Sequence, residues 1–364
     1  MRLGLTLRTL DGSSRELSVI DGHFRPPGEP VDRELDTAGW WAVPGLADCH
    51  AHLGGGYADD HRDGDETLAR TRANAWAQLQ GGVFLVADKG GGDRVTLRVL
   101  DEPPTSRPEL HMAGRFITNP GGYYAGFARE VEEHELLDAV RDEAGGGATW
   151  VKLIGDWPRK GQGALTNFTE EAMHRAVEVA HDAGCRVAIH AAAPDTSSVA
   201  VAAGIDSIEH GLFITPDDLT ALGARGGAWV PTLAAMEAVG NMLGLESTGG
   251  KLFGRGLDNV REVLSGAPGA GVTVLAGTDL ELPHGAVAAE ALKLADYGLA
   301  PADVVHAVTD AAYAYLGSDH AFTTGGHADV LFFDTDPRSD LTVLQRPVLG
   351  LRHGEVVVGS IAAS

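Results

Sequence analysis

The sequence predicts an α/β protein: a (β/α)8 TIM barrel with a small β-sandwich built from both termini. Three observations carry that expectation. Short apolar runs alternate with longer amphipathic stretches through the middle of the chain, the two ends read differently, and the unusual polar residues fall where the apolar runs stop. The runs, in order, are 43–52, 83–88, 109–116, 149–155, 186–191, 207–213, 228–233 and 272–279. Between most of them lie helical patterns such as 66–82 and 169–184. The second pattern has apolar spacing near 3.6, an acidic first turn after Thr169 and a closing Gly184. Repeated strand–helix units of this length read as parallel β/α units, and eight of them closed on themselves make a barrel.

The ends carry short β-like segments instead, among them LGLTLRTLDG, RELSVIDGHF, ADVLFFDTD and VLGLRHGEVVVG. Asp11-Gly12, Asp21-Gly22 and His353-Gly354 are hairpin signals, because such pairs tolerate positive φ. Residues 1–45 and 319–364 are therefore expected to share one composite β-sandwich, with the barrel spanning 46–318.

Composition narrows the function. The 364 residues are 44% hydrophobic and 22% charged, with a formal net charge of -23. That charge repels phosphate backbones and anionic lipid, so nucleic-acid and membrane partners are not expected. A local metal site can still outweigh the global field for an anionic small substrate. Cys49 and Cys185 lie far apart and imply no disulfide framework. The opening MRLGLTLRTLDGSS lacks the apolar core of a signal peptide, and no apolar run approaches the roughly 20 residues that span a bilayer. The expected home is the cytoplasm; the expected partner is a small-molecule substrate, and a homo-oligomer is compatible with the sequence.

The chemistry concentrates at predicted strand ends. His50 and His52 end the first run, and residues i and i+2 of a strand share a face. Lys152 lies in the fourth run, His190 ends the fifth, His210 lies in the sixth and Asp279 ends the eighth. In barrel enzymes the C-terminal strand ends carry the active site. Five of these six are good zinc or iron ligands, enough for one site or two bridged ones. A lone HxH or a single strand-end histidine is commonly structural; joint placement at four strand ends is hard to obtain by accident. Lys152 is the weakest member, since it could snorkel or pair with Asp279 or Asp156.

These segments resemble the amidohydrolase superfamily. PGLADCHAH resembles the PGxxDxHxH signature that opens that family's barrel, and GGVFLVADKGG is similar to the GVTTVRDxGG segment of its imidazolonepropionase-like branch, which includes prolidase-like carboxydipeptidases. AIHA, SIEHG and AGTD match the fifth, sixth and eighth strand motifs, and GGHADVLFFDTDP resembles the closing GKxADLVxxDxDP strand. The resemblance covers nearly the whole chain. It implies two divalent ions, zinc foremost. His50, His52 and Asp279 would hold the more buried one, His190 and His210 the more exposed one, and Lys152 would bridge them as an N-carboxylated lysine. Bridging ions lower the pKa of bound water and yield hydroxide at neutral pH. Asp279 would take the proton and pass it to the leaving group.

Amide, ester and lactone hydrolysis all fit. The leading expectation is a dipeptidase or an N-acyl amino acid hydrolase. The alternative is a mononuclear hydrolase of a cyclic amide, or a deaminase, in which Lys152 stays free; a non-catalytic scaffold barrel is disfavoured by the full ligand set. The loop 118–131 offers Tyr123 and Tyr124 where many relatives have TGGHG-like residues, so either tyrosine is a candidate substrate contact. Arg159 or Lys160 could meet a substrate carboxylate, although a solvated loop charge is the plainer expectation. His284, in DLELPHGA, is a candidate substrate contact or a support at the same face. Cys49 reads as core, and the remaining histidines read as structural.

Overall fold

A computed structural model of the chain describes residues 1–55, 64–159, 163–318 and 322–361. The fold is mixed α/β. Strands β1 (Leu46–Ala51), β2 (Val83–Asp88) and β3 (Glu109–Met112) form a three-stranded parallel sheet. Strands β4 (Trp150–Ile154), β5 (Arg186–Ala191), β6 (Ser207–His210), β7 (Ala228–Val230) and β8 (Thr273–Val274) run parallel and adjacent in a second sheet. Its far edge is completed by Ile117–Thr118 and Arg129–Glu130. Parallel bridges join the two sheets at both seams: Ala113 pairs with Trp150, and Ala51 pairs with Asp279.

The strands read as continuous apolar runs because both of their faces are covered. Every residue of β2 and β4 is buried. Ala47, Cys49, Leu85, Ala87, Ala113, Trp150, Ala188, Ala228, Val230 and Leu275 meet in one cluster, so successive strands turn one face toward a common interior. Their other faces join the larger core beneath the helices. Of these helices, α1 (Gly64–Gln80) and α2 (Glu170–Asp182) fall within two residues of the sequence expectation. Thr169 caps α2 by accepting from the Ala172 amide, two acidic residues follow it, and Gly184 takes φ 77° beyond the helix end.

Both ends of the chain enter one eight-stranded sheet. Trp41–Val43 pairs antiparallel with Val330–Phe333, and the hairpins expected at Asp21-Gly22 and His353-Gly354 are present with positive φ at all four residues. Val330–Phe333 is buried on both faces: Val330 and Phe332 join Leu3, Leu5, Leu7 and Leu351, while Leu331 and Phe333 enter the main core. Cys49 and Cys185 are buried free thiols. No helix among the described residues is long and apolar enough to cross a membrane.

The eighth strand departs from expectation. Regular strand covers only Thr273–Val274, and the rest of 272–279 is carried along β1 by separate bonds. The Cys49 amide donates to the Ala276 carbonyl (2.8 Å), and the Asp279 amide donates to the His50 carbonyl (2.7 Å). Gly277 sets this approach, because a Cβ there would lie 2.4 Å from His50 Cβ and 2.8 Å from Val230 Cγ1. A Gly277→Ala variant should lose about 1–3 kcal/mol of stability as His50 is pushed aside, the range for overpacking a filled core. A thermal melt checks it; an unchanged midpoint contradicts this close approach.

Candidate metal centre

The site begins at the end of β1. The pairing of β1 with β2 slips between Asp48 and Ala51, an irregularity of the kind that re-aims side chains. His50 and His52 emerge from it with their Nε2 atoms 3.2 Å apart. The outer nitrogens face acceptors, though only that of His52 is aligned for a hydrogen bond. His50 Nδ1 lies 2.5 Å from Glu209 Oε2, and His52 Nδ1 donates to the Gly90 carbonyl at 2.8 Å. The two Nε2 atoms therefore face each other at close range, and the Asp279 carboxylate beside them raises the His52 pKa. Two bare acceptors so placed repel unless a cation or a shared proton lies between them.

Asp279 closes this corner. Its Oδ1 lies 3.4 Å from His52 Nε2 and 3.9 Å from His50 Nε2, and the three residues offer donor atoms within 4.8 Å of one another. The residues present therefore fit a divalent ion: two imidazole lone pairs and a carboxylate, nearly dry. Burial alone would raise the Asp279 carboxyl, but His50, His52 and His210 override it and hold the group well below the usual carboxylate range. Burial, then the charge of Lys152, push His50 down to about 4.

His190 and His210 flank the same space. Their rings lie 4.5 Å apart, and the His210 ring lies 5.4 Å from that of His50. His210 Nδ1 is 2.6 Å from Thr232 Oγ1, whose own proton goes to the Pro231 carbonyl at 2.8 Å. His210 therefore donates through Nδ1 and keeps its Nε2 lone pair. Burial drives both histidines toward the neutral form; the Lys152 charge adds to this for His190, and His190 itself adds to it for His210. His210, Thr232 and Asp279 all adopt positive φ (66°, 47° and 53°). Such backbones cost about 1–3 kcal/mol each and cluster where function demands them.

Lys152 projects from β4 into this surrounding and is buried, and its Nζ has no hydrogen-bond partner. It pairs with neither Asp279 nor Asp156: Asp156 Oδ2 accepts instead from the Ala192 and Ala193 amides. Burial lowers the Lys152 pKa to about 8.

Of the candidate substrate contacts, Tyr123 is buried and packs against Phe116, Phe127 and Trp157, its ring 6.5 Å from that of His190. Tyr124 is exposed and lies 4.7 Å, ring to ring, from Trp157. Trp157 in turn stands 6.3 Å from the His190 ring, so the loop and the strand Asp156–Arg159 supply an aromatic wall. Arg159 is committed to the side-chain oxygens of Asn119 (2.6 Å) and Asn167 (3.0 Å), which corrects the picture of a solvated loop charge. Lys160 lies outside the described residues. His284 sits beside the cluster without joining it; Gln78 Nε2 lies 3.4 Å from its Nδ1, and Gln78 Oε1 accepts from the Gly285 amide.

Four supporting residues escaped the sequence reading. Asp48 accepts from the Thr278 hydroxyl (2.6 Å) and amide (3.1 Å), from Gln78 (3.0 Å) and from the His50 amide (3.3 Å). Asp88 accepts from the Leu53 and Gly90 amides and so ties the loops that hold His52. Glu209 and Lys89 form a buried ion pair beside His50. Each is a charged residue within, ending or directly following an apolar run, a signal close to the one that marked Lys152.

Residues 41–357 match the amidohydrolase family. The chain belongs to that family. It is therefore a hydrolase acting on carbon–nitrogen bonds. It is 34% identical to an uncharacterized protein of Mycobacterium tuberculosis over 94% of this chain and 92% of the relative. It is 25% identical to ochratoxinase of Aspergillus niger, over 84% of this chain and 72% of the enzyme. In fold it is similar to a Xaa-Pro dipeptidase solved with methionine in its active site, with TM-score 0.82, 21% identity, and coverage of 98% of this chain and 99% of the other.

Burial holds the pKa of His284 at about 4, against 6.5 for an unperturbed imidazole, and the nearby His52 adds to the shift. Below pH 6.5 the unfolded chain takes a proton that the folded chain refuses. Stability should then fall by about 3 kcal/mol between pH 6.5 and 4 from this group alone. Denaturant titrations across that window should show a shallower loss in a His284→Gln variant; parallel curves would contradict the burial argument.

Proposed function

We propose that the chain is a metal-dependent hydrolase of amide bonds, acting on a small molecule such as a dipeptide or an N-acyl amino acid. The observation that carries this reading is the convergence of His50 Nε2, His52 Nε2 and the Asp279 carboxylate. In this reading β1 to β8 close into a (β/α)8 barrel over 46–318, supported by the bridges at both seams. Residues 1–45 and 319–364 make the composite β-sandwich, supported by the sheet that the two ends share. Buried free thiols suit a reducing cytoplasm.

Two divalent ions, zinc by preference, would be held by His50, His52 and Asp279 on one side and by His190 and His210 on the other. Lys152, N-carboxylated, would serve both. The lysine reading is supported by its buried, unpartnered Nζ and by a pKa low enough to expose the neutral amine to carbon dioxide. Bound ions of this kind polarise a carbonyl and lower the pKa of water. The chain's own residues do the rest. Asp279 Oδ1 accepts from the Leu280 amide at 2.8 Å, which leaves Oδ2 to take a proton and return it to the departing nitrogen. The aromatic wall of Phe116, Tyr123 and Trp157 excludes water from one side of the site and orients the substrate.

A one-ion reading, with a cyclic amide as substrate or deamination as the reaction, is favoured by a different fact. Among the described residues only His50, His52 and Asp279 converge within 4.8 Å. Metal content separates the readings, and Lys152 is the discriminating residue. Lys152→Ala should lose most of the metal and the rate if the lysine bridges two ions, and keep its single equivalent if it does not.

Screening the zinc-loaded protein against dipeptides, N-acyl amino acids and lactones tests the function. Asp279→Asn should retain most of the metal while the rate on any substrate found drops by roughly 10²–10⁴-fold, the usual loss for a general acid–base. Near-normal turnover in that variant would remove Asp279 from the proton path.

A further inference from the structure

Beneath the metal centre lies an ion pair that the proposed reaction does not use. Glu209, Lys89 and His50 are 0%, 1% and 1% exposed. Glu209 Oε1 lies 3.2 Å from Lys89 Nζ and accepts from the Ser207 hydroxyl at 2.6 Å, while Oε2 lies 2.5 Å from His50 Nδ1. Lys89 Nζ also stands 3.8 Å from the centroid of the Trp150 ring, and the Lys89 amide donates to the Ala51 carbonyl at 2.9 Å. Oε1 is thus shared by the ammonium and the serine hydroxyl, while Oε2 lies against the imidazole without the alignment of a hydrogen bond.

A dry ion pair is a poor stabilising device, because desolvating two charges costs as much as their attraction returns, and apolar residues of similar volume would fill the interior better. Its geometry serves something else. We propose that Glu209 is the positioning residue of the metal centre and that Lys89 is the partner that holds it in place. Glu209 stands against the Nδ1 edge of His50, which turns Nε2 toward the space shared with His52 and Asp279. An anionic acceptor behind an imidazole also raises the basicity of the opposite nitrogen, so His50 becomes a stronger donor to a cation. Lys89 takes the other oxygen and stops the carboxylate from swinging away toward the centre itself.

The idea rests on the metal-centre reading above, and the test keeps the two apart. Zinc affinity is measured by chelator competition on the full-length protein, beside the melting temperature of the metal-free form. Glu209→Gln retains shape but has one acceptor oxygen for three donor groups; it should bind zinc roughly 10–100-fold more weakly, the usual effect of losing an outer partner of a ligating histidine. The charge-balanced double variant Lys89→Met with Glu209→Gln should melt closer to the parent and still bind zinc weakly. It carries the test if the single variant does not fold. The visible spectrum of cobalt-loaded protein should shift in both variants, which a purely structural role would not require. Parent-like zinc affinity in Glu209→Gln, or its recovery in the double variant, would overturn the positioning role and leave the metal centre standing. A parent protein that takes up no zinc would overturn both.

Discussion

Asp48 is the residue on which the site's assembly turns. It is buried completely, and burial raises its pKa despite four donors aimed at it. Those donors come from three places: Thr278 on the segment after β8, Gln78 on α1, and the His50 amide within β1 itself. One carboxylate therefore clamps the histidine-bearing strand to the segment that delivers Asp279, with Gly277 providing the space for contact. A buried acceptor with satisfied donors is expensive to disturb, since removing it strands every donor at once. That cost is what holds two strand ends, far apart in sequence, at donor distance.

A second constraint is electrostatic. Lys89, Lys152, four histidines, Glu209 and Asp279 share a space almost without water, and charges of like sign cannot all persist there. The structure resolves the conflict by proton placement. His50, His190 and His210 are driven neutral, Asp279 raises His52, Glu209 and Asp279 stay ionised, and Lys152 is brought toward its neutral form. The strained backbones at His210, Thr232 and Asp279 belong to the same bargain, because the surrounding hydrogen bonds over-determine them.

Much of this was legible in the sequence, for definite physical reasons. Parallel strands covered on both faces give unbroken apolar runs, so β1 to β7 and the residues at their ends stood out. The two-residue hairpins at Asp21-Gly22 and His353-Gly354 announced themselves because few other pairs accept two positive φ values. The eighth strand was over-extended, since VTVLAGTD reads as strand throughout although Ala276, Gly277 and Thr278 are held by individual contacts with β1. The supporting shell was harder to see. Asp48, Lys89 and Glu209 act through partners 30 to 230 residues away, and no local spacing encodes such a partnership. Tyr123, a candidate substrate contact, packs in a cluster with Phe116 and Phe127 and shares the wall facing His190 with Trp157, a residue no local spacing singled out.

The central claim is that six residues carried by four strands and the segment after β8 make one metal centre. Crystals of the zinc-loaded protein, measured on both sides of the zinc absorption edge, test it most directly. The account predicts anomalous density between His50, His52 and Asp279, with a second peak roughly 3.5–4 Å away toward His190 and His210, the spacing of two-ion hydrolytic sites. Zinc bound elsewhere, with no peak among these side chains, would contradict it.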